Sequence, residues 1–246
     1  MMTDTLAEQL KALRLTGLLA RWDEHLKAAA GSNLSHARFL TRVIEEEYRL
    51  KCDQARQQRL KLAKIPEKWV LETFPFDRQP KLNKKKILAL HDSMAFLKDK
   101  QNILWMGGTG VGKTGLATSF LTQAIHQGAR GRYVLFADLL HELHRSQADR
   151  SQACVIRRYL RYDILLVDEI GYVDAEPAQV GLLFTLLQKR HHQRSTLITS
   201  NLGFSEWASF LKNPHLTAAL IDRLTQSSHI FNMKDCVSLR TKMTEP

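Results

Sequence analysis

The stretch Ile103-Leu104-Trp105-Met106-Gly107-Gly108-Thr109-Gly110-Val111-Gly112-Lys113-Thr114 decides the fold of this chain. Its apolar start reads as a buried strand that runs directly into G-x-x-x-x-G-K-T. Leu116, Ala117, Phe120 and Leu121 then recur at helical spacing. A strand, a glycine loop and a helix in that order make a cradle for phosphates. The glycines let backbone N–H groups turn inward, and the helix N-terminus adds a positive dipole. Lys113 is placed to reach the outer phosphates, and the Thr114 hydroxyl to ligate Mg²⁺. The expected phosphate-binding residues are therefore Gly107, Gly108, Thr109, Gly110, Val111, Gly112, Lys113, Thr114 and Gly115.

Further along, Asp163-Ile164-Leu165-Leu166-Val167-Asp168-Glu169 reads as a buried strand with two carboxylates at its C-terminal end, where open α/β sheets bind their ligands. Asp168 suits the second shell of Mg²⁺, and Glu169 suits the orientation and deprotonation of an attacking water. That pairing fits a nucleoside-triphosphate hydrolase better than a small-molecule kinase. A nucleotide-gated switch with little turnover is the other rival. Another strand, Ser195 to Thr199, ends in Ser200 and Asn201, whose amide can sit beside the γ-phosphate. Arg223 lies on a helix far along the chain, either to complete a neighbouring subunit's site or to pair with Asp222.

Outward from this core, strand-like and helix-like segments alternate from residue 101 to 246, an α/β pattern with a parallel sheet flanked by helices. The second strand is expected over Tyr133 to Ala137. Residues 1–65 read as a small all-helical N-terminal domain. Leu6, Leu10, Leu13, Leu18, Trp22 and Leu26 suggest one helix, and after a break at Gly31, Ser32 and Asn33, Leu40, Val43, Ile44 and Tyr48 suggest a second. Residues 66–100 read as a linker pressed onto a surface, punctuated by Pro66, Pro75 and Pro80, with a leading helix through Ile87, Leu90 and Met94.

The chain has 246 residues with 36 Lys and Arg against 25 Asp and Glu, a net charge of +11. Residues 1–64 hold 12 basic and 8 acidic side chains and residues 65–100 hold 8 and 5, so the first hundred carry +7 of the excess. Such a balance suits contact with a phosphate backbone. Cys52, Cys154 and Cys236 have no ligand or disulfide spacing, which points to a reducing compartment. No secretory signal or membrane-length apolar run is visible, so the expectation is a cytoplasmic protein without a membrane partner.

Taken together, GGTGVGKT at 107–114, Val167 to Tyr172 (VDEIGY), Thr199 to Asn201 followed by Phe204, Glu206 and Trp207, and Ile221-Asp222-Arg223-Leu224 resemble the IstB family. These are ATP-dependent transposition helpers within the AAA+ P-loop NTPases, close to the helicase loader DnaC and the initiator DnaA. The resemblance implies ATP and Mg²⁺ as cofactors and catalytic roles for Lys113, Asp168, Glu169, Asn201 and Arg223. Asp168 and Glu169 would be the Walker B pair, Asn201 sensor 1, and Arg223 an arginine finger acting in trans. It further implies a homo-oligomer assembled on DNA that recruits a transposase; a DnaC-like helicase loader is the alternative. The chain departs from the family pattern in having Ser238 for an arginine, which leaves Arg240 as the sensor-2 candidate. It also has Gly115 for a histidine, and Gly108 and Thr109 for paired prolines. In the initiator-like clade the segment after the second strand touches DNA, which makes Arg145, Arg150, Arg157 and Arg158 the expected backbone contacts.

Overall fold

The structure, a computed structural model, describes residues 2–31, 34–172 and 177–240. The chain divides into two compact units, Met1–Gln58 and Arg59–Pro246.

The first unit is helical, with α1 (Asp4–Ala12), α2 (Thr16–Ala20), α3 (Trp22–Gly31) and the start of α4 (His36–Ala63). The expected first helix is therefore three. Arg14 breaks it at a left-handed φ of 57°, and Arg21 separates α2 from α3. Ser32 and Asn33, expected to separate the two long helices, lie outside the described residues. The first turn of α2 has no cap of its own. Glu47 of α4, buried, supplies one by accepting the Leu18 N–H at 2.7 Å.

The second unit is built on a parallel sheet. Its strands are β1 (Asn102–Met106), β2 (Gly131–Leu135), β3 (Ile164–Ile170), β4 (Ser195–Ser200) and β5 (Ser228–Asn232), in the order β2-β3-β4-β1-β5. Every pairing is parallel. Central strands are apolar because helices cover both faces. On one side Trp105, Phe120 and Phe231 share a cluster with α5 (Lys84–Ser93), α6 (Ala95–Lys98) and α7 (Lys113–His126). On the other, Leu104, Leu166's neighbour Leu165 and Ile198 pack against α8 (Phe136–Ala148), α9 (Gln152–Leu160), α10 (Pro177–Arg190), α11 (Phe204–Phe210) and α12 (Pro214–Thr225).

Three expectations need correction. The second strand stops at Leu135, because Phe136, Leu139, Leu140 and Leu143 recur at helical spacing and bury as the face of α8. The stretch after Pro66 is not simply pressed onto a surface: Leu71, Phe74, Phe76 and Leu82 belong to the main core, carried by 3-10 turns at Leu71–Thr73 and Phe76–Arg78. The leading helix is two, α5 and α6, because Met94 turns left-handed between them. The edge strand β5 was not anticipated, because Ser228, His229 and Asn232 interrupt its apolar pattern.

A buried arginine ties the back of the sheet together. Arg190, 1% exposed, donates to the carbonyls of Tyr159 at 2.8 Å, Tyr162 at 2.9 Å and Ser195 at 2.6 Å, and to Thr196 Oγ1 at 3.2 Å. Burial is the main cause that pushes its pKa down to about 9. Replacing it would strand these acceptors in a dry interior. Arg190→Met should therefore lower stability by about 3 kcal/mol, read as a lower urea midpoint.

Candidate nucleotide-binding site

Helix α7 begins without a side-chain cap. Its N-cap is Gly112, at a left-handed φ of 97° that favours glycine, and a Cβ there would meet Phe74 Cε2 at 2.6 Å. The first N–H groups of α7 are thus free for an anion, and Lys113 stands at the helix start. Lys113 is buried, and its ammonium donates to the carbonyls of Gly107 at 2.8 Å and Gly108 at 2.6 Å. Burial is the main influence on this lysine and lowers its pKa, against the opposing pull of Asp168 and Glu169.

Asp168 sits at the centre, 1% exposed. Its carboxylate accepts from the Thr114 hydroxyl at 3.1 and 3.2 Å, the Thr199 hydroxyl at 2.5 Å and the Tyr133 phenol at 2.9 Å. Burial and the neighbouring carboxylate both push the Tyr133 phenol far above its ordinary pKa, so it serves as a donor. The next residue points elsewhere. Glu169 has a φ of 66° where the β3–β4 register shifts between Val167 and Ile170, and it is the exposed member of an otherwise buried strand. A bulge of this kind re-aims a side chain, at a strain of roughly 1–3 kcal/mol. The Glu169 N–H donates to Thr199 Oγ1 at 2.9 Å, so one threonine holds both acidic residues in place.

Thr109, Gly110, Gly112, Lys113, Thr114, Gly115, Asp168, Glu169 and Arg240 all line one cavity of 370 Å³. Of the remaining loop residues, Gly107 and Gly108 meet the Lys113 ammonium, and Val111 is buried with its carbonyl accepting from Gln79 at 3.3 Å. Asn201 is not part of the lining: its amide oxygen is buried against Gly171 and has no hydrogen-bond partner among the described residues. Arg223 is also outside the cavity. It bonds the Ala219 carbonyl at 2.9 Å and lies 5.0 Å over the Phe184 ring, so Asp222 is not its hydrogen-bond partner. Arg145, Arg150, Arg157 and Arg158 are exposed on and between α8 and α9. Arg158 is engaged by Glu142 and stacks 5.3 Å over Tyr159.

Sequence reasoning missed Tyr133, Thr118, Trp69, Phe74 and Leu239 in the lining. Distance in sequence from the loop hid Tyr133, Trp69, Phe74 and Leu239, whereas Thr118 lies one turn past Thr114 in α7 and bonds its carbonyl at 2.7 Å. Two departures from the family pattern have local accounts: the Thr109 hydroxyl bonds the Tyr172 phenol at 2.8 Å, and Ser238 lies against Gly110, where a Cβ would meet its Oγ at 2.6 Å. The Thr114 hydroxyl and the Asp168 carboxylate are the hard oxygen donors that Mg²⁺ prefers, so the residues fit that ion.

A parallel sheet in the order β2-β3-β4-β1-β5, with this loop at the end of β1 and an acidic pair near the end of β3, is a P-loop fold of the AAA+ type. Solved structures share that fold. They include DnaI (TM-score 0.52, 19% identity, 61% of this chain and 85% of that one) and AMPPCP-bound DnaA from Aquifex aeolicus (0.55, 16%, 70% and 51%). The chain belongs to the IstB-like ATP binding protein family, whose model matches residues 8–245. Among its relatives are the ATP-binding protein of insertion sequence IS5376 from Geobacillus stearothermophilus, 31% identical over 95% of this chain and 92% of that one, and that of IS21 from Pseudomonas aeruginosa, 29% identical over 92% and 84%. Among the described residues no helix is long and apolar enough to cross a membrane.

Because Thr199 supports both Asp168 and Glu169, Thr199→Val should weaken Mg²⁺-dependent nucleotide turnover by about 10- to 100-fold. Thr199→Ser, which keeps the hydroxyl, should retain most of it. A Mg²⁺ titration of turnover in the three proteins checks this.

Proposed function

We propose that this protein hydrolyses ATP at a site shared between subunits, assembles on DNA in its ATP form and serves as the helper of a transposase. The observation that carries the reading is Glu169, set by a strained bulge into the same cavity as Lys113, Thr114 and Asp168. A carboxylate so placed suits a water nucleophile, which a hydrolase needs and a simple nucleotide switch does not. Mg²⁺ would be held by Thr114, with Asp168 behind it, and would neutralise charge on the phosphates. Lys113 would exchange its loop carbonyls for phosphate oxygens. Arg223 lies outside this subunit's cavity, which favours action on a neighbour's site.

Self-assembly is supported by α4, where Leu40, Ile44 and Tyr48 form an apolar stripe 58%, 65% and 68% exposed. Contact with DNA is supported by the net charge of +11 and by the exposed Arg145, Arg150 and Arg157. A transposase partner is favoured over a helicase because the relatives that match most of this chain are insertion-sequence proteins.

ATP hydrolysis measured with and without duplex DNA, over a range of protein concentrations, tests the mechanism. Turnover should rise with DNA and steeply with protein concentration, and both Glu169→Gln and Arg223→Ala should lower it about 100-fold or more. Mixing those two variants should restore part of it, because a mixed interface can join an intact Glu169 to an intact Arg223. Recovery absent in the mixture would rule out the shared site. Replacing Arg145 and Arg150 with alanine should weaken DNA binding alike for all sequences and reduce the salt slope by about one unit per lost contact. Capture of a replicative helicase but no transposase in a pull-down would overturn the assignment of partner.

A further inference from the structure

The cavity has two chemically distinct parts. Lys113, Thr114 and the free N–H groups of α7 supply what phosphates need, whereas Pro66, Trp69, Phe74 and Leu239 supply a flat apolar wall. Among the aromatic residues in that lining, Phe74 is buried in the core and Tyr133 is committed to Asp168. Tyr172 bonds the loop at Thr109, next to the acidic pair's exit from β3. Trp69 is different. It is 41% exposed, and its indole N–H donates to Glu67 Oε2 at 3.0 Å.

The ring rests against Gly115, the residue that follows Thr114 in the first turn of α7. A Cβ at Gly115 would lie 3.2 Å from Trp69 Cδ2, 3.4 Å from Cε3 and 3.5 Å from Cγ. Glycine is a poor helix former, so a glycine inside α7 calls for a packing reason. The ring is that reason: a Cβ at position 115 would already make the indole give by a few tenths of an ångström, and a longer side chain would compete with it for the same space.

We propose that Trp69 is the stacking wall for the base of the bound nucleotide, that Gly115 makes room for it, and that the pair makes this site prefer purine to pyrimidine nucleotides. The proposal rests on the nucleotide-binding reading above and adds the recognition of the base. Stacking favours the larger π face of a purine and discriminates little between adenine and guanine.

The test is equilibrium binding of ATP, GTP, CTP, UTP and inorganic tripolyphosphate to the full chain and to its Trp69→Leu and Trp69→Phe variants. The expected result is that Trp69→Leu binds ATP and GTP about tenfold more weakly, loses the preference over CTP and UTP, and binds tripolyphosphate as the wild type does. Trp69→Phe should recover most of the purine affinity. Two results overturn the proposal: purine affinity unchanged in Trp69→Leu, or tripolyphosphate binding weakened as much as ATP binding, which would make the ring a mere support for the loop. A wild-type chain that binds neither ATP nor tripolyphosphate overturns the nucleotide reading itself, and this proposal with it.

Discussion

The carboxylate of Asp168 is the point on which the rest of the site depends. A bare carboxylate this deeply buried would cost several kcal/mol. Here hydroxyls from three separate elements meet it: Thr114 from α7, Tyr133 from β2 and Thr199 from β4. Tyr133 and Thr199 are placed by the parallel register of the sheet, and Thr114 by the phosphate loop that opens α7. The network therefore makes the strand order β2-β3-β4-β1-β5 and the conformation of the phosphate loop mutually dependent.

Strain is gathered next to that network. Glu169 adopts a left-handed backbone that a glutamate would avoid in a regular strand, and the hydrogen bond from its N–H to Thr199 helps hold it there. The consequence is a division of labour between adjacent acids. Asp168 faces inward to hydroxyls, while Glu169 faces the open cavity. A straight strand would also have put the two on opposite faces, but without aiming Glu169 along the cavity. Lys113 completes the balance: its buried ammonium is held by loop carbonyls and by the field of both acids.

Much of this is legible in the residues alone. The run from Ile103 to Thr114 specifies strand, loop and helix through local rules: a short apolar run, glycines where the backbone must turn, and apolar spacing near 3.6 afterwards. The pair Asp168 and Glu169 is legible for the same reason, since two adjacent carboxylates stand out at the close of an apolar run. What misled was local as well. Phe136 and Ala137 look as much like strand as helix, and only the recurrence of Leu139, Leu140 and Leu143 on one buried face decides for α8. The linker prolines suggested surface, yet Phe74 and Phe76 bury because the core of the second unit accepts them.

By itself, then, the sequence determined the phosphate loop, the acidic strand end, the parallel α/β class and the family, because each depends on residues close together in the chain. Tertiary structure alone decided that Tyr133 and Thr199 would hold Asp168, that Arg190 would tie α9 to β4, and that Trp69 would rest against Gly115. It also decided that Asn201 and Arg223 would lie outside the cavity lined by the loop. The physical reason is that hydrogen bonding and close packing act over a few ångströms in space, whatever the separation along the chain. No pattern of neighbouring residues reports which distant side chain will arrive.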